Sequence, residues 1–234
     1  MTQTLVRENL LRIQERIASA AARAGRRPEE ITLIGVSKTH PASAILEAYE
    51  AGIRHFGENR VQEWEGKRAE TEGLVATWHL VGHLQSNKAT RAARLFHSVD
   101  SVDDFAVAQR LDRARAEAGI TGKLRVLIEV RVAPEETKCG VEIDDLLALA
   151  ESIAELPRLQ LAGLMCIPPL LEKAEQVRPY FRRLRELRDE LAGKIGIELP
   201  VLSMGMSHDF EVAIEEGATE VRVGTALFGA RESK

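Results

Sequence analysis

The stretch "LIGVSKTHP", Leu33 to Pro41, runs an apolar segment straight into a lysine. Strand alternation gives Thr32, Ile34, Val36 and Lys38 one common direction, so the amine stands where a buried strand ends. Such a lysine has an ordinary use, with its stem packed and its ammonium in water. It also has a chemical one. Apolar walls disfavour the ammonium, lower its pKa and free the amine to attack an aldehyde. Two stretches near the other end offer an anion site to go with it. "LSMGMSHDF" sets Gly205, Met206 and Ser207 between an apolar run and a helical pattern, and "VRVGTALFG" repeats this with Gly224 and Thr225. Backbone N–H groups at a helix start, beside a hydroxyl, bind anions; taken singly, each glycine equally suits a tight turn. His208 and Asp209 make no hydrolase triad with Ser207, because consecutive side chains diverge, and are expected to open the helix.

Arg222 shares the parity of Gly224, opposite to Val221 and Val223, and so points inward. A buried arginine needs a partner. A strand carboxylate such as Glu129 is one choice, and the ring nitrogen of a cofactor is the other. An imine-forming lysine, a phosphate cup and an arginine at a ring nitrogen together describe a pyridoxal 5′-phosphate (PLP) site.

Something must bring residue 38 to residues 207 and 225. Eight short apolar runs cross the chain: Thr32–Val36, Ile53–Phe56, Val75–Val81, Leu95–Val99, Leu124–Val132, Leu159–Ile167, Leu199–Ser203 and Thr219–Val223. Helical patterns separate them at 41–51, 59–70, 86–94, 102–118, 143–155, 172–194 and 208–217. Alternating strands and helices predict a parallel sheet with crossover helices. Eight units in 234 residues fit a closed (β/α)8 barrel; a doubly wound open sheet is the competing architecture. Only "ALFGARESK" follows the eighth run, too little for a full last helix, so a spare helix at 3–24 is expected to fill the outer ring. No linker or second domain is evident, which predicts one domain over 1–234. In a barrel, active sites form at the C-terminal ends of the strands, and phosphate sites favour the last two loops. That rim is where Lys38, Ser207 and Thr225 fall.

Composition narrows the partners. Apolar residues make up 44% of the chain, enough for a sizeable core. With 32 basic against 36 acidic side chains there is no basic excess to suggest nucleic acid. Cys139 and Cys166 have no CxxC or metal-type spacing, which suits reduced thiols in a cytoplasm. No secretory signal or membrane span is expected. The arginine-rich helix around 177–194 carries a buried stripe of Val177, Tyr180, Phe181, Leu184, Leu187 and Leu191, so its charges read as a solvated face. His79 and His83 lie four apart, but in and just after a strand-like run without the HExxH pattern of a zinc helix. His79 is expected to look into the pocket instead.

The stretches "GVSKTHPASAILEAYEAGIRHFGENRVQE", "WHLVGHLQSNK", "LAGLMCIPP" and "LSMGMSHDFEVAIEEGATEVRVGTALFGAR" resemble the pyridoxal phosphate homeostasis protein family, relatives of the alanine racemase barrel. The resemblance runs from about the first helix to Arg231. It implies PLP held in imine linkage by Lys38, and phosphate contacts from Met206, Ser207, Gly224 and Thr225. It also implies that Arg222 faces the pyridine nitrogen, and that Asn59 and Ser203 line the pocket. The implied role is a cytoplasmic, monomeric protein that binds PLP and supplies it to apo PLP-dependent enzymes.

Two rivals use the same groups: a PLP-dependent racemase or decarboxylase, and an imine-forming aldolase on a sugar phosphate without PLP. Racemisation needs a second acid/base opposite the lysine, which related racemases take as a tyrosine from a second domain. Here Tyr49 and Tyr180 fall within helical patterns away from the rim. Lys138, in the loop after the fifth strand, is a candidate secondary amine for cofactor traffic.

Overall fold

The computed structural model describes residues 2–133 and 139–229. Eight parallel strands close on themselves in chain order: β1 (Thr32–Val36), β2 (His55–Glu58), β3 (Thr77–Leu80), β4 (Ser98–Val102), β5 (Leu124–Glu129), β6 (Leu159–Met165), β7 (Val201–Met206) and β8 (Glu220–Val223). Closure is direct, because Ile34 pairs with His55 on one side and with Arg222 on the other. The barrel expectation holds and the open sheet is excluded. Helices α1 (Thr2–Arg23), α2 (Ala42–Ala51), α3 (Val61–Arg68), α4 (Ala89–Leu95), α5 (Phe105–Glu117), α6 (Leu146–Ala154), α7 (Arg178–Ile195), α8 (Phe210–Glu215) and α9 (Thr225–Phe228) surround it. Among the described residues, no helix is long and apolar enough to cross a membrane.

Helix α1 does fill the ring. Its stripe Leu10, Ile13, Ile17, Ala20 and Ala21 is buried, and the helix packs on α2, α8 and α9. Arg16 pairs with Glu211 at 2.7 Å and Arg23 with Glu215 at 2.6 Å, fastening it to α8.

Three strands lie further along the chain than their apolar runs. β2, β4 and β7 begin two or three residues late and extend to Glu58, Val102 and Met206. Their barrel-facing positions carry polar or small residues (His55, Gly57, Ser98, Asp100, Ser203) that no count of apolar residues would recruit. Gly205 and Met206, expected in a loop, therefore belong to β7.

These polar positions form a charged floor at the strand starts. His55 Nδ1 lies 3.1 Å from His79 Nε2, and His79 Nδ1 lies 3.0 Å from Asp100. Arg125 donates to Ser98 at 2.9 Å and pairs with Glu220 at 2.7 Å. Burial, then the neighbouring His79 and Arg125, push the His55 pKa down to about 4, so its ring stays neutral. The expectation for His79 is overturned: it is fully buried in this floor and does not line the pocket. Above the floor, Leu127, Ala162 and Met165 pack with Val201 into an apolar plug. Along β5 the inward residues run Arg125, Leu127, Glu129, from floor through plug to mouth.

Candidate functional site

Above the plug lies a cavity of about 520 Å³, lined by Lys38, Asn59, Glu129, Arg222, Gly224 and Thr225, with Met206 and Ser207. Seven of the eight residues singled out in the sequence thus share one space. The eighth does not. Ser203 is fully buried beneath it and accepts a hydrogen bond from Arg222 Nη1 at 2.8 Å. Its role is to hold the arginine rather than to line the pocket.

Arg222 is fixed from two sides, since its Nη2 donates to the Cys166 carbonyl at 2.8 Å. Both partners are neutral oxygens, and Arg222 lines the cavity wall. Glu129 lines the same wall. Burial first, then the Asp103 carboxylate, raise its pKa to about 7, and the Arg222 charge opposes the rise only in part.

The end expected to take an anion is built where β7 and β8 run into α8 and α9. Gly205 has φ +92°, and an added Cβ would lie 2.6 Å from that of Ala213, so only glycine lets the strand turn this close under α8. Asp209 stands at the start of α8, as expected, but its carboxylate accepts the Met206 N–H at 2.6 Å instead of capping the helix. That commits the Met206 amide, while Ser207, Gly224 and Thr225 line the cavity at this end. The Ser207 hydroxyl already spans the two loops, accepting the Ala226 N–H at 3.2 Å. "TALF" forms a short helix directly after Gly224.

Lys38 is half-buried two residues beyond β1, at a sharp bend where Thr39 takes φ +66°. Asn59 follows β2 directly and lies against Gly82, whose added Cβ would sit 2.4 Å from the Asn59 carbonyl. Several other lining residues carried no pocket signal in the sequence: His40, His83, Cys139, Ile167, Leu170 and His208. His40 packs against Phe228 of α9 with ring centroids 5.0 Å apart, joining the first loop to the last. Lys138 lies outside the described residues, as does Arg231. Tyr49 and Tyr180 sit on α2 and α7, and neither lines the cavity.

Residues 9–232 match the family "alanine racemase, N-terminal domain". The pyridoxal phosphate homeostasis protein of Aquifex aeolicus is 49% identical over 225 residues, covering 96% of this chain and 98% of the relative. Its Escherichia coli counterpart is 45% identical, with 97% of each chain covered. This chain belongs to the pyridoxal phosphate homeostasis protein family. The solved structure of another member, PipY of Synechococcus elongatus with PLP bound, superimposes with a TM-score of 0.82 at 45% identity, over 93% of this chain and all of that one. Alanine racemase of Clostridium difficile shares the fold alone, with a TM-score of 0.74 at 15% identity over 98% of this chain and 58% of the enzyme.

Proposed function

We propose that the protein binds PLP at Lys38 and serves cofactor homeostasis, holding and supplying PLP without efficient amino-acid turnover. One observation carries this most directly. A single cavity gathers a lysine amine, the Ser207, Gly224 and Thr225 anion site, and an arginine with its charge toward the space between. These donors fit the three ends of PLP: aldehyde, phosphate and ring nitrogen. When bound, PLP would supply its aldehyde, to which the Lys38 amine adds; a water leaves as the C=N bond forms. Ser207, Gly224 and Thr225 bind the phosphate, with Asn59 and Met206 at the walls.

Arg222 opposes protonation of the ring nitrogen, since a fixed cation beside it disfavours a second positive charge. A ring left unprotonated is a weak electron sink, which disfavours carbanion chemistry. Tyr49 and Tyr180 lie away from the cavity, so neither supplies the tyrosine that related racemases use as their second acid/base. Release to apo PLP-dependent enzymes, by a cytoplasmic monomer acting as one domain, completes the proposal.

The experiment has two arms. Borohydride reduction of the PLP-loaded protein and peptide mapping should place the cofactor on Lys38, and Lys38→Ala should lose it while keeping its circular dichroism. Loaded protein should also activate an apo PLP enzyme, while its own racemase, decarboxylase and transaminase rates stay far below the ~10 s⁻¹ median of enzymes. Fixation mainly on another lysine, or turnover near that median, would overturn the proposal.

A further inference from the structure

Beneath Lys38 lies a group of charges that the proposed cofactor contacts do not use. Lys67 of α3 is buried, and its ammonium has three donors. These reach the Ser37 carbonyl at 2.9 Å, Glu58 at 3.0 Å and Glu63 at 2.7 Å. Glu58, at the end of β2 and fully buried, also accepts the Ser37 hydroxyl at 2.6 Å. Glu63 accepts the N–H of Thr39. The partners follow a pattern. The Ser37 carbonyl belongs to the peptide group before Lys38, and the Thr39 N–H to the peptide group after it.

We infer that Glu58, Glu63 and Lys67 are positioning residues that pin both peptide groups flanking Lys38 and so aim its amine into the cavity; this rests on the PLP-binding role proposed for Lys38. Thr39 is the one non-glycine residue with positive φ among the described residues. A left-handed threonine is strained and persists only where its surroundings hold it. The Glu63 carboxylate on its N–H provides that hold, and the Ser37 carbonyl is gripped in turn by Lys67 and by the His40 N–H at 3.1 Å. The two carboxylates share one ammonium. Burial raises the pKa of Glu58 despite Ser37 and Lys67. For Glu63, burial is outweighed by Lys67 and the Thr39 N–H, so its pKa is lowered and it stays ionised on the Thr39 amide. With Asn59, the residues in "ENRVQEWEGK" therefore act from two levels, one lining the pocket and three holding the backbone below it.

The test separates aiming from folding and from phosphate binding. The probes are PLP and pyridoxine 5′-phosphate, which has the ring and phosphate but no aldehyde. Glu63→Ala should lower the equilibrium fraction of PLP fixed at Lys38, by absorbance and borohydride trapping, by roughly ten-fold, while affinity for pyridoxine 5′-phosphate stays within about two-fold. Glu63→Gln keeps an acceptor for the Thr39 N–H and should restore part of the loss. Lys67→Met should show the same split, and the Glu63 variants carry the test if it does not fold. The inference is overturned if trapping and pyridoxine 5′-phosphate affinity fall in parallel, or if neither changes. Wild-type protein that binds both probes but is fixed by borohydride elsewhere would instead overturn the role of Lys38, and the clamp with it.

Discussion

Glu129 should make the cofactor-free protein less stable as the pH rises through neutrality. Its carboxyl is buried beside the cavity, and its pKa moves from the ordinary 4.5 to about 7, first by burial and then by Asp103. Between those two values the unfolded chain releases a proton that the folded protein retains, so unfolding is favoured as pH rises. The contribution is fully present below pH 4.5 and is lost as pH climbs through 7. From 4.5 to about 7, at 1.36 kcal/mol per pH unit, the loss comes to about 3 kcal/mol. Glu129→Gln keeps the shape and removes the titration. The measurement is the melting temperature of both apo proteins from pH 4.5 to 8. At 2–4 °C per kcal/mol for a chain of this size, the variant should gain about 6–12 °C on wild type across that range. Two curves that stay parallel throughout would refute the account of Glu129, and with it the picture of a wall whose carboxylate is only partly balanced by Arg222.

Other substitutions probe the remaining contacts. Ser207→Ala should weaken PLP binding by about 0.5–1.5 kcal/mol, roughly 2- to 12-fold, and leave pyridoxal binding unchanged; wild-type protein that binds pyridoxal and PLP equally would remove the basis for the phosphate cup. Ser203→Ala leaves the buried Nη1 of Arg222 without its 2.8 Å partner and should cost about 1–3 kcal/mol in urea unfolding; an unchanged midpoint would show that Ser203 does not hold the arginine. Nitrogen-15 NMR of ring-labelled PLP should find the pyridine nitrogen unprotonated in wild type at pH 7 and protonated in Arg222→Glu, and a protonated wild-type ring would contradict the placement of Arg222.

Lys38, Arg222 and the two glycine-bearing loops were legible in the sequence because strand alternation is a local rule. Once "TLIGV" and "EVRV" are strands, the parity of their neighbours follows without knowing what lies across the barrel. The eight-fold alternation and the spare α1 were legible for a similar reason, since apolar faces repeat at the period of each element. What remained hidden depended on neighbours distant in the chain. The floor of His55, His79, Asp100, Arg125 and Glu220 shows no apolar signal, and only closure of the sheet lets those charges satisfy one another. Nothing local marks Ser203 as lying beneath the pocket; only the pairing of β7 with β8 brings Arg222 onto it. The Glu63–Lys67 pair could have been an ordinary exposed helix pair; β1 ending above α3 made it the support of Lys38. Sequence determined which side chains face inward, because that depends on the local backbone. Tertiary structure decided which of them meet, because hydrogen bonds and burial depend on distances that only the closed barrel sets.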